Sequence, residues 1–185
     1  MSSPLKHFLA SAWETGEVVI IALVTVFIIR AFIAQPFLVS GASMESTFQN
    51  GNYLLIDEIT YRFREPARGE VIIFKYPRDP KEYFIKRIIG LPGESLTIAD
   101  NQITITKPGA EPLTLSEGYL SQATKTFGEK TVTLGSDEYF VMGDNRSNSF
   151  DSRNWGPLNK QAIVGVARLR LFPFSELGSI TAPAY

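Results

Sequence analysis

The most constraining feature of the sequence is its uneven distribution of apolar residues. The chain carries no charge over residues 18–29, and past Arg30 the apolar run resumes and reaches Val39. A helix rises about 1.5 Å per residue, so one of this length can cross the roughly 30 Å apolar core of a bilayer. Proline cannot continue a helix, so we expect Pro36 to end it. The sequence therefore predicts a transmembrane helix over residues 18–36, after an N-terminal segment of residues 1–17.

Two other interpretations of this run stay open. It could be a cleaved signal peptide, with Lys6 as a short basic region and small residues near 31–34 as the cleavage site, or a buried helix of a soluble domain. The apolar region of a signal peptide usually stops at about 7 to 15 residues, so the length favours an anchor. Lys6 and Arg30 lie towards opposite ends of the run, so positive charge does not orient it.

After Gly41 the pattern becomes that of short β-strands. Runs rich in β-branched and aromatic residues alternate with turn residues, and Asp100-Asn101 forms a tight hairpin turn between two such runs. The stretch 108–128 has weak periodicity and is typical of a surface excursion. The sequence predicts a mainly β domain over residues 37–185. Its expected strands cover residues 53–56, 71–74, 83–89, 95–98, 102–106, 131–134, 139–142 and 163–172.

Composition excludes several classes of function. Lys and Arg total 18 against 19 Asp and Glu, which leaves no broad positive surface for nucleic acid. The chain has no cysteine and one histidine, His7, so thiol catalysis, Cys/His zinc sites and a Ser-His-Asp triad are disfavoured. The polar loop from Asp144 fails as a calcium loop because Arg146 and Trp155 occupy ligand positions. We expect neither a metal nor a cofactor.

Without a histidine, a serine nucleophile needs another base, and a buried lysine is the remaining candidate. In the strand 82–89, Phe84, Lys86 and Ile88 share one face, and Arg87 lies on the other. Burial among apolar residues lowers a lysine pKa towards neutrality, whereas an arginine keeps its proton. Lys86 is therefore the candidate base. The alternative is an edge strand with Lys86 extended to water.

Two further segments could hold the rest of a site. Ser43 stands in a run of small residues, 39–47, which lets backbone groups approach a substrate or forms a plain linker. The stretch 143–153 is dense in Asp, Arg, Ser and Asn. It could be a solvated loop, or a buried network that holds a neighbouring side chain.

Together these segments resemble the type I signal peptidase family. Residues 41–44 are similar to its nucleophile box, 68–74 to the following strand box, 86–94 to the general-base box, and 143–153 to the last box. The resemblance implies an N-terminal transmembrane helix followed by a β-rich catalytic domain. It also implies that residues of about 93–135 form a variable β insertion.

The resemblance implies roles for individual residues. Ser43 would be the nucleophile and Lys86 the general base, and the backbone N–H of Ser43 would hold the oxyanion. Gly41 stands where some members have a hydroxyl residue, and Ser46 replaces a usual proline. The last box would support the dyad, with Ser149 orienting the Lys86 amine, Asp144 paired with Arg87, and Asp151 paired with Arg153.

The implied substrates are signal peptides of exported preproteins, cleaved after small residues such as Ala at positions −1 and −3. The expected pocket walls, which core packing would explain equally well, are Phe37, Val39, Met44, Leu54, Ile73, Phe84 and Ile85. The implied location is a bacterial plasma membrane or a thylakoid membrane. The N-terminus would be cytoplasmic and the catalytic domain on the outer or lumenal side, with the lipid bilayer as a partner. The sequence gives no signal for an oligomeric state.

Two rival functions stay open. A soluble, self-cleaving Ser-Lys protease of the repressor type would share the dyad, but it would carry a DNA-binding module in place of the apolar run at Val18. A membrane-tethered binding domain would have no use for a buried lysine at position 86.

Overall fold

The structure is a computed structural model that describes residues 4–32, 34–121 and 123–185. Side chains are described within these ranges except at 4–7, 9–10, 28–32 and 34. A long helix, α1 (Pro4–Phe32), precedes a β domain whose first strand, β1, covers Ala34–Leu38. The predicted mainly β fold is confirmed.

The observed ends of α1 differ from the predicted ones. It begins at Pro4, where a first helical residue needs no N–H partner, and it ends at Phe32 rather than at Pro36. Pro36 lies inside β1 and pairs with Leu55 of β2 (Tyr53–Asp57). β1 is the outermost strand of its sheet, where a residue without an N–H is tolerated. The helical limits 18–36 and the role of Pro36 as the helix end were therefore wrong.

Within the described residues, no helix is both long enough and apolar enough to cross a membrane. The structure therefore gives no support to the predicted span. The side chains of residues 28–32 and 34, which belong to that prediction, lie outside the described ones.

Besides β1 and β2, the main sheet contains β3 (Val71–Tyr76), β4 (Asp79–Gly90), β9 (Glu138–Met142), β10 (Leu158–Asn159), β11 (Ile163–Phe172) and β12 (Gly178–Ser179). The sheet is antiparallel and runs in the order β1-β2-β11-β3-β4-β9-β10, with β12 paired to β11. Strand β4 is central to it and changes character along its length: it is exposed over residues 79–83 and buried over 85–90. Lys86 lies just inside the buried half.

A second, smaller sheet falls within the predicted insertion. Its order is β7-β6-β5-β8, from strands β5 (Ser95–Ala99), β6 (Gln102–Thr106), β7 (Leu113–Thr114) and β8 (Lys130–Thr133). Asp100 and Asn101 both have positive φ, 50° and 61°, as the tight turn between β5 and β6 requires. The predicted hairpin is confirmed.

Hydrophobic clusters cover both faces of the buried half of β4. Ile85 packs in one cluster with Leu54 and Ile73, and Ile88 packs in another with Ile72 and Phe74. A strand covered on both faces reads as a continuous apolar run, and the two cations at 86 and 87 interrupt this one. Because of this packing, each of the two basic side chains must either pair with an anion inside the protein or lose its proton.

Strand β11 approaches β2 so closely that one position between them requires glycine. A Cβ on Gly165 would lie 2.5 Å from the backbone oxygen of Asp57 and 2.8 Å from Cγ2 of Ile56. We expect Gly165→Ala to lower the free energy of unfolding by about 1–3 kcal/mol, because the backbone atom cannot move aside cheaply. Gly118→Ala is the matched control, since no atom lies within 4 Å of a Cβ there. Equal denaturant midpoints for the two variants would contradict the prediction.

Candidate active site

Ser43 and Lys86 meet at the end of a surface cleft. Lys86 Nζ donates a hydrogen bond to Ser43 Oγ over 2.7 Å and another to the carbonyl oxygen of Ile85 over 2.9 Å. Ser43 belongs to the turn after β1, and Lys86 to β4, 43 positions further along the chain. The structure therefore brings together the two residues that the sequence singled out for nucleophile and base.

Burial controls the protonation of Lys86. Its side chain is almost fully buried, at 4% exposure, and its amine lies 5.4 Å from the centre of the Phe84 ring. Burial lowers the pKa of Lys86 to about 8, against the opposing influence of the Asp151 and Asp144 carboxylates. At pH 7 roughly a tenth of this amine is therefore neutral and able to accept a proton, and the neutral fraction grows as the pH rises towards 8.

The adjacent cation, Arg87, is held in its charged form. It makes a bidentate pair with Asp144, with Nε–Oδ1 at 2.9 Å and Nη2–Oδ2 at 2.6 Å, and donates to the Gly69 carbonyl oxygen at 2.7 Å. The Tyr119 ring covers the guanidinium at 4.3 Å. Thr47 Oγ1 donates to Asp144 Oδ2 at 2.5 Å, which links the pair to the turn that carries Ser43. The structure has the predicted pairing of Asp144 with Arg87.

Asp151 forms the second predicted pair. Its carboxylate accepts from Arg153 Nε and Nη2, both at 2.9 Å, and from the N–H of Gly143 at 3.1 Å. It also caps the short helix α2 (Ser152–Trp155) by accepting from the backbone of Arg153. Burial alone would raise the pKa of Asp151, but the Arg153 guanidinium and the Gly143 N–H outweigh it and hold the pKa below its usual range.

Ser149 does not make the contact predicted for it. Its Oγ is buried and has no hydrogen-bond partner within the described part of the chain, so no bond to the Lys86 amine is present. The residue lines the same cleft as Lys86 and packs against Gly143, where a Cβ would lie 2.2 Å from Ser149 Oγ. Its role in orienting the amine stays a prediction.

A cleft of about 760 Å³ opens from the dyad. Two strand segments border it, residues 37–39 at the end of β1 and residues 82–86 of β4, and a loop at 147–150 closes one side. The predicted wall residues that line it are Phe37, Val39, Leu54, Ile73, Phe84 and Ile85. Met44 does not line it. Its side chain belongs to the buried core cluster that also contains Phe48 and Val39, so its place in the cleft wall stays a prediction.

Several residues of this region were not predicted from the sequence. Tyr83 and Phe150 line the cleft, and Asn145 holds the backbone around Ser43. Arg146, only 2% exposed, pairs with Glu117 and donates to Thr126 Oγ1 at 2.6 Å. The density of hydrogen-bonding groups at 143–153 indicated a network. Nothing in the sequence, however, named a partner 29 positions away for Arg146.

The backbone conformation near the nucleophile suits glycine at position 41, where some members of the resembled family have a hydroxyl residue. Gly41 has φ of +94°, a conformation that favours glycine over a hydroxyl residue, and its N–H donates to Asn50 Oδ1 at 2.9 Å. The Ser43 N–H donates to no group among the described residues. The described residues also contain no cluster of three His, Cys, Asp or Glu side chains that could hold a metal ion. The site thus offers a hydroxyl, an amine of lowered pKa and a backbone donor.

Comparisons with known proteins agree on one family. The family model described as "Signal peptidase, peptidase S26" matches residues 12–172. A probable signal peptidase I-2 of Synechocystis sp. is 34% identical over 177 residues, covering 92% of this chain and 78% of that protein. Signal peptidase I T of Bacillus subtilis is 36% identical over 175 residues, covering 89% and 87%. A crystal structure of a signal peptidase I from Enterococcus faecalis is 31% identical and covers 56% of this chain and 97% of that one, with a TM-score of 0.47.

The buried pair of Asp151 and Arg153 yields a stability prediction. We expect Asp151→Ala to lower the melting temperature by several degrees, because it removes the cap of α2 and leaves Arg153 without its carboxylate. Activity should fall as well, since the loop at Gly143 loses an acceptor. The matched control is Asp137→Ala at an exposed position. An unchanged melting temperature with full activity would identify the loop as a solvated one.

Proposed function

The chain belongs to the signal peptidase family, peptidase S26, and we propose that Ser43 and Lys86 form the dyad with which it cleaves signal peptides from exported preproteins. The protein is a peptidase, as its homologues over most of the chain are. The observation that carries the proposed dyad is the hydrogen bond of 2.7 Å between Lys86 Nζ and Ser43 Oγ.

The proposed reaction needs only these two side chains and water. Neutral Lys86 removes the hydroxyl proton as Ser43 Oγ attacks the carbonyl carbon of the scissile bond. The Lys86 ammonium then returns the proton to the leaving amine, the peptide C–N bond breaks, and an acyl-enzyme remains. Lys86 next removes a proton from water as the water oxygen attacks the ester carbon, the bond from that carbon to Ser43 Oγ breaks, and the Lys86 ammonium returns the proton to Oγ. The developing negative charge on the carbonyl oxygen is held by the N–H of Ser43.

The substrate is proposed to bind as an added β-strand. Strand β9 pairs with β4 only over Arg87–Gly90, so none of the described strands pairs with that edge of β4 before Arg87. Among the strands that the structure describes, β1 pairs with β2 alone. Both free edges border the cleft, so an extended peptide can hydrogen-bond to them while alternate side chains point inwards.

The walls of the cleft favour small side chains in the substrate. Leu54, Ile73 and Ile85 are large, apolar and buried, and they line the cleft beside the strand edges. Alternation along an extended peptide places residues −1 and −3 on the same face. We therefore propose Ala-X-Ala-type specificity, with these residues and Phe37, Val39 and Phe84 as the walls.

We also propose that α1 attaches the protein to a membrane. Its described apolar side chains are exposed, including four consecutive ones from Val18 to Ile21, which together surround the helix. A helix that is apolar all round requires cover by protein or lipid. The proposed location is the bacterial plasma membrane or a thylakoid membrane, with a cytoplasmic N-terminus and the catalytic domain on the outer or lumenal side.

Membrane attachment predicts the behaviour of the full-length protein on fractionation. We expect it to stay in the membrane pellet after a carbonate wash, because apolar side chains of α1 are buried in lipid. Immunoblotting of pellet and supernatant, with a peripheral protein as the control, measures this. Release into the supernatant, or a mature N-terminus at Gln35, would contradict the anchor.

The proposed base predicts a sharp dependence on residue 86 and on pH. We expect Lys86→Met to abolish cleavage of a secretory precursor and Lys86→Arg to stay inactive, because a guanidinium keeps its proton. The wild-type rate should rise as the pH is raised, with a midpoint at about pH 8, because the Lys86 amine loses its proton. Chelators should have no effect.

Folding and charge controls accompany this test. At pH 7 we expect Lys86→Met to melt at or above the wild-type temperature, because the change removes a desolvated ammonium. Lys75→Met, an exposed lysine of the neighbouring strand, should keep full activity. Robust cleavage by Lys86→Arg, or loss of wild-type cleavage with a chelator, would overturn the mechanism.

A further inference from the structure

Asn145 holds the backbone on both sides of the Ser43 α-carbon. Its side-chain Nδ2 donates to the carbonyl oxygen of Ala42 at 3.1 Å, and its backbone N–H donates to the carbonyl oxygen of Ser43 at 3.0 Å. Ala42 and Ser43 line the cleft, whereas Asn145 does not. The contacts therefore reach the nucleophile from the side away from the substrate.

The geometry of a peptide unit gives the first contact a directional consequence. In a trans peptide the C=O of one residue and the N–H of the next point in opposite directions. The peptide unit that contains the Ala42 carbonyl also contains the Ser43 N–H. Ala42 O accepts hydrogen bonds from Asn145 Nδ2 at 3.1 Å and from the Glu45 N–H at 3.2 Å, and the bond from Asn145 therefore helps to fix the Ser43 N–H so that it points away from Asn145.

Asn145 is itself anchored by charged and close-packed neighbours. Asp144, the preceding residue, is fixed by its bidentate pair with Arg87. Gly143 lies so near the nucleophile that a Cβ there would come within 2.4 Å of Ser43 O. Ser147 Oγ donates to Asn145 Oδ1 at 3.3 Å, which leaves Nδ2 to face Ala42. The segment is thus held tightly enough to impose an orientation on its partner.

We propose that Asn145 is a positioning residue for the oxyanion site: by binding the Ala42 carbonyl, it directs the Ser43 N–H at the substrate carbonyl oxygen. This inference rests on the proposed Ser43/Lys86 function. Asn145 touches neither the substrate nor the reacting atoms and acts through one peptide unit. Gly41 offers no side-chain donor, so stabilisation of the oxyanion depends more strongly on the orientation of the Ser43 N–H.

The test uses Asn145→Leu, which keeps the branched shape of the side chain, removes the donor and adds no charge near Lys86. Asn159→Leu is the matched control. Asn159 is exposed, and its side chain accepts one local hydrogen bond, from the Gln161 N–H at 2.9 Å, far along the chain from the dyad. Both variants and the wild type are measured for kcat, KM and pH profile with a precursor peptide. Their affinity for a peptide aldehyde ending in Ala-X-Ala is measured as well.

The aldehyde reports on the oxyanion site directly. Ser43 Oγ adds to its carbonyl carbon, the carbonyl π bond becomes an oxyanion, and the hydroxyl proton passes to Lys86. An uncleavable peptide of the same sequence reports on binding without this step.

We expect kcat of Asn145→Leu to fall about 10- to 100-fold and KM to change by less than about twofold. Affinity for the aldehyde should fall by the same factor as kcat, while affinity for the uncleavable peptide and the pH midpoint stay at wild-type values. Asn159→Leu should match the wild type in all of these, whatever its melting temperature.

Other outcomes overturn the proposal. Unchanged kcat in Asn145→Leu would show that the contact does not orient the N–H. A fall in kcat with full aldehyde affinity, or with a shifted pH midpoint, would assign Asn145 to the Lys86 environment or to general stability. A wild-type protein that cleaves no precursor would overturn the proposed function, and this inference with it.

Discussion

The buried ion pair between Arg87 and Asp144 is the interaction on which the site depends. Successive residues of a strand point to opposite faces, so placing Lys86 towards the cleft sends Arg87 into the loop that follows β9. A buried guanidinium needs a carboxylate, and Asp144 meets it with two hydrogen bonds. The pair therefore fixes the position of the loop, and the loop carries the groups that contact Ser43.

The protein interior has opposite effects on the charge of two adjacent basic residues, Lys86 and Arg87. Within the described residues the Lys86 amine donates to the Ser43 hydroxyl and to one backbone carbonyl, without a direct carboxylate partner, and burial lowers its pKa to about 8. Arg87 receives a carboxylate, a carbonyl oxygen and an aromatic face. An arginine at position 86 would bring a charge that cannot be lost, and a lysine at 87 would lose the bidentate geometry. The order of the two residues along the strand is therefore chemically significant.

The sequence predicted what local pattern determines and missed what long-range packing determines. Alternation identified the strands and the Asp100-Asn101 turn, and the apolar neighbours of Lys86 indicated its burial. The end of α1 was misplaced because Pro36 is equally compatible with an edge strand. Met44 was expected in the cleft wall from the resemblance to the family, whereas its side chain packs in the buried core with Phe48. These outcomes depend on partners that the local sequence does not name.

Arg146 shows why the small sheet and its flanking loops are not a separate appendage. Glu117, Tyr119 and Thr126 all belong to the predicted insertion, and all three accept hydrogen bonds from this one buried guanidinium. Arg146 also donates to the carbonyl oxygen of Gly143, and its own carbonyl oxygen accepts from Arg153. A buried guanidinium without a carboxylate partner strongly lowers the stability of the folded protein. Moving Glu117 would therefore disturb the loop at Gly143. The insertion thereby contributes to the placement of the nucleophile without touching it.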